Sequence, residues 1–230
     1  MRDQASGKPL AGVTVGAPQN FWDCRLKTVT DKEGRYELIG LPQNTPYRIL
    51  AKPADGLHFQ RAVSLKGTPG LGVLICDVNL VRGLTARGRV TNKETGQPIP
   101  GVQVDYHPLG GNDYVNKLLP GQWDPISEAT TDADGSYVLT VMPGPGVIGV
   151  RAPELDSFMP AALSLQERKE FFKTPLVNDK DEQYLAPAAG GGKFGRLGLH
   201  FYNVVTLLEP GEKEETLVRD VALEKRPSER

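Results

Sequence analysis

The chain contains two copies of one pattern, and this internal repeat is the feature that most constrains its fold. The segment Gly7 to Val15 (GKPLAGVTV) returns as Gly96 to Val104 (GQPIPGVQV). Further on, Thr30 to Leu38 (TDKEGRYEL) returns as Thr131 to Leu139 (TDADGSYVL). Self-similarity at this spacing is typical of duplicated structural modules, so it indicates architecture more strongly than chemistry.

The spacing of the repeated blocks locates two insertions in the second copy. The first block recurs at an offset of 89 residues (12 to 101) and the second at an offset of 101 (34 to 135), which places an insertion at 105–122. A third block, Asp77 to Leu80, matches Asp220 to Leu223 at an offset of 143. The larger offset places a longer insertion at 153–215.

The repeat predicts two domains, 1–82 and 83–226, that differ at their start. Leu84 to Val90 (LTARGRV) is predicted to be the opening strand of the second, and an offset of 89 places its counterpart before Met1. We therefore expect an N-terminally truncated first domain, and two alternatives stay open: the chain is a fragment whose signal peptide and opening strand lie upstream, or the first domain lacks this strand. Such a domain should expose an unpaired sheet edge or groove, which upstream sequence or another chain could fill.

Composition favours a β-rich fold and disfavours several classes of partner. The 26 Gly and 19 Pro residues, without a collagen-like period, suit short strands joined by tight turns. With 27 Lys and Arg against 28 Asp and Glu, the chain lacks the net positive charge that attracts nucleic acid. No run approaches the roughly 20 apolar residues of a transmembrane segment, and no signal peptide opens the chain.

Alternating apolar residues predict half-buried strands in both copies. Tyr36 alternates with Leu38 in the first copy, as Tyr137 does with Leu139 in the second. The turn before each pair carries an Asp that can bond its own backbone and a Gly that tolerates positive φ, which is typical of a hairpin. One short helix is predicted in the 153–215 insertion, at Ser164 to Phe172, because its start reads as a capping box.

The repeated motif resembles a known family. Gly-x-Pro-(Leu/Ile)-x-Gly-Val-x-Val, followed by Thr-Asp-x-(Asp/Glu)-Gly-x-Tyr-x-Leu and a closing Asp-Val-x-Leu strand, is similar to the carboxypeptidase regulatory-like domain, a transthyretin-like or Cna-B-like β-sandwich. Both copies match outside the insertions. The resemblance implies an all-β chain of two tandem seven-stranded sandwiches. Members of the family serve as accessory, adhesive or carbohydrate-associated modules.

The cysteines and histidines show no spacing typical of a metal site. Cys24 and Cys76 form no Cys-x-x-Cys pair, and His58, His107 and His200 stand far apart, so zinc and mononuclear iron sites are disfavoured. The histidines are predicted to be surface or packing residues. For the cysteines two alternatives stay open, namely buried free thiols or a disulfide between neighbouring strands.

A tryptophan followed by an aspartate occurs in both copies. An exposed indole can stack on a sugar ring while the carboxylate accepts hydroxyl hydrogen bonds, and nearby tyrosines could extend such a surface. The competing interpretation, which base rates favour, is that each tryptophan covers the sandwich core. The candidate ligand-binding residues are Trp22, Asp23, Trp123, Asp124, Tyr106 and Tyr114.

The acidic residues of the two turns, Asp31 with Glu33 and Asp132 with Asp134, match part of a calcium loop. A full loop needs more oxygen ligands and a bidentate Glu at its twelfth position, and neither turn supplies one. Structural turns are therefore the favoured interpretation, with a calcium site as the weaker alternative. No cofactor is expected.

A repeated scaffold without repeated catalytic groups predicts a non-catalytic structural or interaction module of a larger exported bacterial protein. No Gly-x-Ser-x-Gly elbow, P-loop or dinucleotide fingerprint occurs. A carbohydrate-binding module is the alternative, and an enzyme with 153–215 as a lid is the weakest reading. The expected partners are other domains of the same polypeptide, another protein or a glycan. The resemblance implies an extracytoplasmic location, which could be periplasmic, cell-surface or secreted.

Overall fold

A computed structural model describes residues 1–17, 26–41, 46–67, 70, 72–109, 112–120, 127–163, 184–185, 197–198 and 201–227. These residues are nearly all β, as the sequence predicts. The chain divides into two compact units, Met1–Gly83 and Leu84–Arg230, which we call the first and second units.

The first unit is built on a four-stranded antiparallel sheet. Its described strands are β1 (Arg2–Asp3), β2 (Thr14–Ala17), β3 (Leu26–Val29), β4 (Tyr47–Lys52), β5 (Arg61–Leu65) and β6 (Asn79–Leu80). The sheet has the order β3-β2-β4-β5, while β1 pairs with β6 in parallel. Alternate residues of a strand face the same side, and Val15, Ile49 and Ala51 accordingly lie in the core with Leu80.

The second unit has a longer list of elements. They are β7 (Leu84–Asn92), β8 (Gln103–Pro108), α1 (Tyr114–Leu118), β9 (Ser127–Thr130), β10 (Ser136–Val141), β11 (Gly146–Arg151), a 3-10 helix (Leu155–Ser157), β12 (Tyr184–Leu185), β13 (Leu197–Gly198), β14 (Val204–Leu208), β15 (Thr216–Val218) and β16 (Val221–Leu223). One four-stranded sheet contains β10, β7, β15 and β16, and the other has the order β14-β11-β8-β9. Strands β12 and β13 form a separate antiparallel pair.

Strand β7 is the centre of the first of these sheets. It pairs antiparallel with β10 over six residue pairs and parallel with β15 and then β16. The parallel pairing is interrupted at Asp220, whose side chain accepts the backbone N–H of Arg89 at 2.9 Å. Gly88 lies at this interruption, and a Cβ there would stand 1.9 Å from the Arg219 carbonyl oxygen. The close approach explains why this strand position carries a glycine.

The other sheet of the second unit is buried on both faces. Tyr106 of β8 lies fully buried, and on the opposite face Asp105 and His107 are also buried. Tyr202 packs on that opposite face, where a Cβ added to Gly149 would stand 2.5 Å from its ring. Tyr202 belongs to the long insertion, so the insertion covers a sheet face that a bare sandwich would leave in solvent.

The predicted strand at Tyr36 and Leu38 is wrong. Residues 35–40 join no strand ladder among the described residues, whereas the matching residues of the second unit form β10. The two units differ here because they differ in the strand beside this segment. In the second unit β10 pairs with β7, which is nine residues long. At the matching position the first unit has only β1, two residues long, which pairs with β6.

The helical elements also differ from the prediction. The α-helix that the structure describes is α1, five residues long, in the 105–122 insertion where no helix is predicted. Lys117 lies in its last turn, where a cation is favourable, and Val115 anchors it in the interior. The helix predicted at Ser164 to Phe172 lies outside the described residues.

Candidate functional site

The repeated Thr-Asp motif forms the same structural lock in both units. The buried Thr30 hydroxyl accepts the Val13 N–H at 3.0 Å and donates to the Leu10 carbonyl at 2.7 Å. Thr131 makes the matching pair of bonds to Val102 and Ile99, at 2.9 and 2.8 Å. These hydroxyls satisfy backbone groups that would otherwise be buried without a partner, so their role is structural.

The acidic turn residues also serve their own turns. The Asp31 carboxylate accepts the backbone N–H groups of Glu33 and Arg35, and Asp132 accepts those of Asp134 and Ser136. The hydrogen bond from the Arg35 backbone lowers the pKa of Asp31. The predicted turns form in both units, but the prediction that they are hairpin turns is wrong: β9 and β10 belong to different sheets, and residues 35–40, which follow the first turn, join no ladder in the described structure. Within the described ranges no three acidic, histidine or cysteine side chains come together as metal ligands.

The candidate sugar-binding residues do not form one surface in the described structure. Trp22, Asp23, Trp123 and Asp124 lie outside the described residues, so the sugar-binding hypothesis stays a prediction. Tyr106 is fully buried in the core, where it cannot contact a sugar. The half-exposed Tyr114 donates its hydroxyl hydrogen bond to Glu212, and its ring lies 4.5 Å from the Lys117 ammonium.

Two of the three histidines are packing residues with very different surroundings. In the first unit, His58 lies between two carboxylates, with Nδ1 at 2.6 Å from Asp55 and Nε2 at 2.9 Å from Asp3. The bond to Asp55, helped by the one to Asp3, raises the pKa of His58. It ties β1 to the turn at Asp55, so its role is to hold the short first strand.

In the second unit, His107 belongs to a buried polar cluster that no local sequence pattern indicates. The Tyr202 hydroxyl donates to Asp105 at 3.2 Å and lies 3.1 Å from the His107 Nε2. Burial lowers the pKa of His107 to about 4 and raises that of Asp105. Residues 105 and 202 are almost a hundred positions apart, so only the folded sheet brings them together. His200 lies outside the described residues.

The described part of the first unit contains a groove of about 620 Å³. One wall is formed by residues 33–41 and the other by residues 70 and 72–77, with Tyr47, Ile49 and Leu65 also lining it. A hydrogen bond from the Tyr36 hydroxyl to the Cys76 carbonyl, at 2.8 Å, joins the two walls. Burial, and then that bond, raise the pKa of Tyr36.

The walls of the groove expose unusual amounts of apolar surface. Ile39 is 75% exposed, Val73 is 92% exposed and Ile75 is 83% exposed. Two unpaired, partly apolar backbone segments that face one cleft are features that an extended peptide can use. Cys76 is a half-buried free thiol on one wall, and Cys24 lies outside the described residues, so the disulfide alternative is not supported at Cys76.

Comparison with known proteins gives structural likenesses only. No protein-family model matches the chain, and no curated protein matches it. Among solved structures, the chain is similar to the Bacillus anthracis TIE protein (11% identity, TM-score 0.29, 98% of this chain and 33% of that one). It is also similar to BcpA, the major pilin subunit of Bacillus cereus (10%, 0.31, 81% and 41%), and to the shaft pilin spaA of Lactobacillus rhamnosus GG (11%, 0.32, 96% and 94%).

The chain spans less than half of the length of the two Bacillus proteins. Structural likenesses with TM-scores this low carry no argument about the function of the chain. In the described part of the chain, no helix is long and apolar enough to cross a membrane.

Proposed function

We propose that the chain is a non-catalytic structural and interaction module of a larger exported bacterial protein, acting as a spacer and a docking surface outside the cytoplasm. In this proposal its domains, 1–82 and 83–226, are tandem carboxypeptidase regulatory-like sandwiches. The repeated side chains support it, because the threonine and aspartate pairs bond backbone groups of their own turns. Their partners are expected to be other domains of the same polypeptide or another protein.

The observation that carries the spacer role is the parallel pairing of the first and last strands of the second unit. Strand β7 pairs with β15 and β16 at six positions, all in the parallel sense. A load applied at Leu84 and at Leu223 therefore pulls the two strands past each other along their length. All six positions resist together, since no hydrogen bond can open before its neighbours.

The latch between these strands is reinforced by side chains. Asp220 accepts the Arg89 N–H, and the exposed Lys93 ammonium lies 2.6 Å from Glu224 just beyond the paired residues. Leu217, Val221 and Leu223 are buried on the same strands. Apolar side chains that must be pulled out of the core together with the ladder add to the barrier against forced unfolding.

Single-molecule force measurements test this proposal. Pulled through its two ends, the second unit should unfold at a high force. In the matched control, the same protein is pulled through Glu94→Cys and Lys225→Cys, exposed positions at the same end of the parallel pair, which leaves the Lys93–Glu224 ion pair in place. The load then opens the hydrogen bonds one after another, and we expect a several-fold lower unfolding force. The proteins used for the two pulling directions both also carry Cys24→Ser and Cys76→Ser, which replace the two native cysteines.

Two outcomes would contradict the proposal. Equal unfolding forces in the two pulling directions would show that the parallel latch bears no load. Turnover of a glycoside, ester or peptide substrate that a single substitution abolishes would show an enzyme. Asp105→Asn and His107→Gln are the variants to examine, because these side chains belong to a buried polar cluster and burial shifts the pKa of both.

A further inference from the structure

The covered face of the β14-β11-β8-β9 sheet brings together three side chains of the kinds that bind metal ions. Asp105 and His107 are two residues apart on β8, so they lie on the same face of the sheet. The Tyr202 hydroxyl oxygen lies 3.2 Å from the Asp105 Oδ2 and 3.1 Å from the His107 Nε2. The three residues are 7%, 6% and 5% exposed. A carboxylate, an imidazole and a phenol oxygen thus converge in one buried place.

The distances between these atoms fit a tetrahedral metal ion. Oxygen and nitrogen atoms bound to such an ion at about 2.0 Å stand about 3.3 Å from one another. The two distances from the Tyr202 oxygen, 3.2 and 3.1 Å, are close to this value. An ion can therefore replace the hydroxyl proton as the link between these atoms with only small movements of the side chains.

The carboxylate is held in the orientation that a metal ligand needs. The Gln103 side-chain amide donates to the Asp105 Oδ1 at 3.0 Å, so the other oxygen, Oδ2, is the one directed at Tyr202. The Arg151 guanidinium in turn donates to the Gln103 side-chain oxygen. Outer hydrogen bonds of this kind orient the carboxylates that bind metal ions in proteins.

The position of Tyr202 is fixed by the sheet and by its own backbone. A Cβ on Gly149 would stand 2.5 Å from the Tyr202 ring, so the ring lies directly over the backbone of β11. The Tyr202 carbonyl accepts the Ala161 N–H at 2.8 Å. The next residue, Asn203, accepts the Ala152 N–H at 2.9 Å through its side chain. The three candidate ligands are therefore carried by segments that are held in place.

The charges around the cluster favour a cation. Asp105 lies directly opposite Glu128 of β9, and like charges on directly paired residues are destabilising. The Gln103 amide nitrogen lies 3.0 Å from one carboxylate and 3.5 Å from the other, so the two acidic groups share one neutral donor. A metal ion bound to Asp105 would offset this repulsion.

The first unit provides an internal comparison. At the offset of 89 its residue matching Asp105 is Gly16, and at the offset of 101 its residue matching Gly149 is Arg48. The carboxylate and the space for the tyrosine ring are therefore features of the second unit. Tyr202 itself comes from the long insertion, which is also specific to that unit.

We propose that Asp105 Oδ2, His107 Nε2 and the Tyr202 oxygen bind one divalent transition-metal ion of the Zn²⁺ class, which fastens the long insertion to the sheet. On binding, Tyr202 releases its hydroxyl proton to solvent and becomes a phenolate. The phenolate and the Asp105 carboxylate then balance the two positive charges of the ion, which a buried charge requires. A solvent molecule completes the four ligands. The proposal goes beyond the proposed function and does not depend on it.

Titration of the tag-free full chain with Zn²⁺ at neutral pH tests the proposal. The phenolate form of tyrosine absorbs at longer ultraviolet wavelengths than the phenol form, so binding should produce a phenolate difference band that saturates at one ion per chain. Calorimetry gives the affinity. Tyr202→Phe should abolish the band, and His107→Gln should weaken binding by at least about a hundredfold, the upper end of what loss of an outer-shell partner causes.

The matched controls place the same two substitutions elsewhere in the chain. Tyr114→Phe removes a hydroxyl that donates to Glu212, and His58→Gln removes the histidine of the first unit. Both variants should keep the band and the affinity of the parent chain. Gln103→Ala should weaken binding by about tenfold, because Asp105 loses the donor that orients it.

A phenolate band in the parent chain that Tyr202→Phe removes and both controls retain supports the proposal. Absence of the band in the parent chain at a tenfold excess of Zn²⁺ would overturn it, and this result does not depend on the folding of any variant. Binding of equal affinity in the parent, Tyr202→Phe and His107→Gln chains would also overturn it, since the ion would then lie elsewhere. Both results are independent of the force measurement, so a failure here is distinguishable from a failure of the proposed function.

Discussion

The two units share their turn locks and differ in one strand, and the difference shows what that strand contributes. In the second unit, Leu84–Asn92 pairs with β10, β15 and β16 and helps to bury residues on both sides. In the first unit only Arg2–Asp3 lies at the matching position, and residues 35–40 join no ladder in the described structure. The Thr-Asp turns are equally well formed in both. The turn is therefore determined locally, whereas the strand that follows it depends on its neighbour.

The largest expected effect concerns the glycine of that strand. Gly88→Val should destabilise the second unit by more than about 4 kcal/mol, because the new side chain overlaps the Arg219 carbonyl. Gly72→Val in the first unit is the matched control, since nothing stands within 4 Å of a Cβ there. Segment-resolved hydrogen exchange in denaturant measures both. Similar losses in the two units would contradict the assignment of a special close approach to Gly88.

The two buried histidines should give the units opposite pH dependence. Hydrogen bonds to Asp55 and Asp3 raise the pKa of His58 in the folded state, so its stabilisation is complete below the ordinary value of 6.5. That stabilisation is lost as the pH rises through the raised pKa. Burial lowers the pKa of His107 to about 4, so the second unit loses up to about 3 kcal/mol as the pH falls from 6.5 to 4.

Unfolding of each unit as a function of pH checks these opposite slopes. His58→Gln and His107→Gln should each flatten the profile of their own unit and leave the other unit unchanged. In the second unit, the effect of His107 is the difference in stability between the parent chain and His107→Gln at each pH. This subtraction is needed because burial raises the pKa of Asp105, whose contribution to stability at low pH has the opposite sign. Slopes of the same sign in the two units would refute the contrast.

Removal of the Thr30 or the Thr131 hydroxyl should lower the free energy of unfolding of its own unit by about 2 kcal/mol. Thr30→Val leaves the Val13 N–H without its acceptor, and Thr131→Val does the same to Val102, with each site buried. Thr28→Val and Thr216→Val are controls on strands that are less buried. Chemical denaturation should show near-equal losses for the two lock variants. A loss of stability in one unit only would contradict the equivalence of the two threonine sites.

The smallest effect is expected from the tyrosine bonds. Tyr36→Phe and Tyr137→Phe each remove one hydroxyl-to-carbonyl hydrogen bond, worth about 1 kcal/mol. The loss should be greater for Tyr137, which is 3% exposed and whose pKa is raised to about 12 by burial, than for the half-buried Tyr36. Thermal unfolding measures both.

The fold class and the turns were predictable from sequence because their causes are local. Asp31 and Asp132 bond N–H groups two and four residues ahead, and Gly34 and Gly135 both adopt φ of 72°. The same residues therefore give the same turn wherever the pattern occurs.

Other features depend on contacts that a local pattern does not contain. Tyr36 and Leu38 alternate like strand residues, yet alternation cannot show whether a partner strand lies beside them. Asp105 and His107 read as polar strand residues, and their burial depends on Tyr202 from a distant insertion. Tyr106 was a plausible surface aromatic until the sheet placed it in the interior.

The parallel arrangement of β7 with β15 and β16 also determines how far a polypeptide advances as it passes through the second unit. Leu84 begins β7, and Leu223 pairs with Asn92 at the far end of that strand. At about 3.3 Å per residue the nine residues of β7 extend roughly 30 Å. The polypeptide thus enters β7 at one end and leaves β16 beside the opposite end, so the chain advances through the second unit by about the length of that strand.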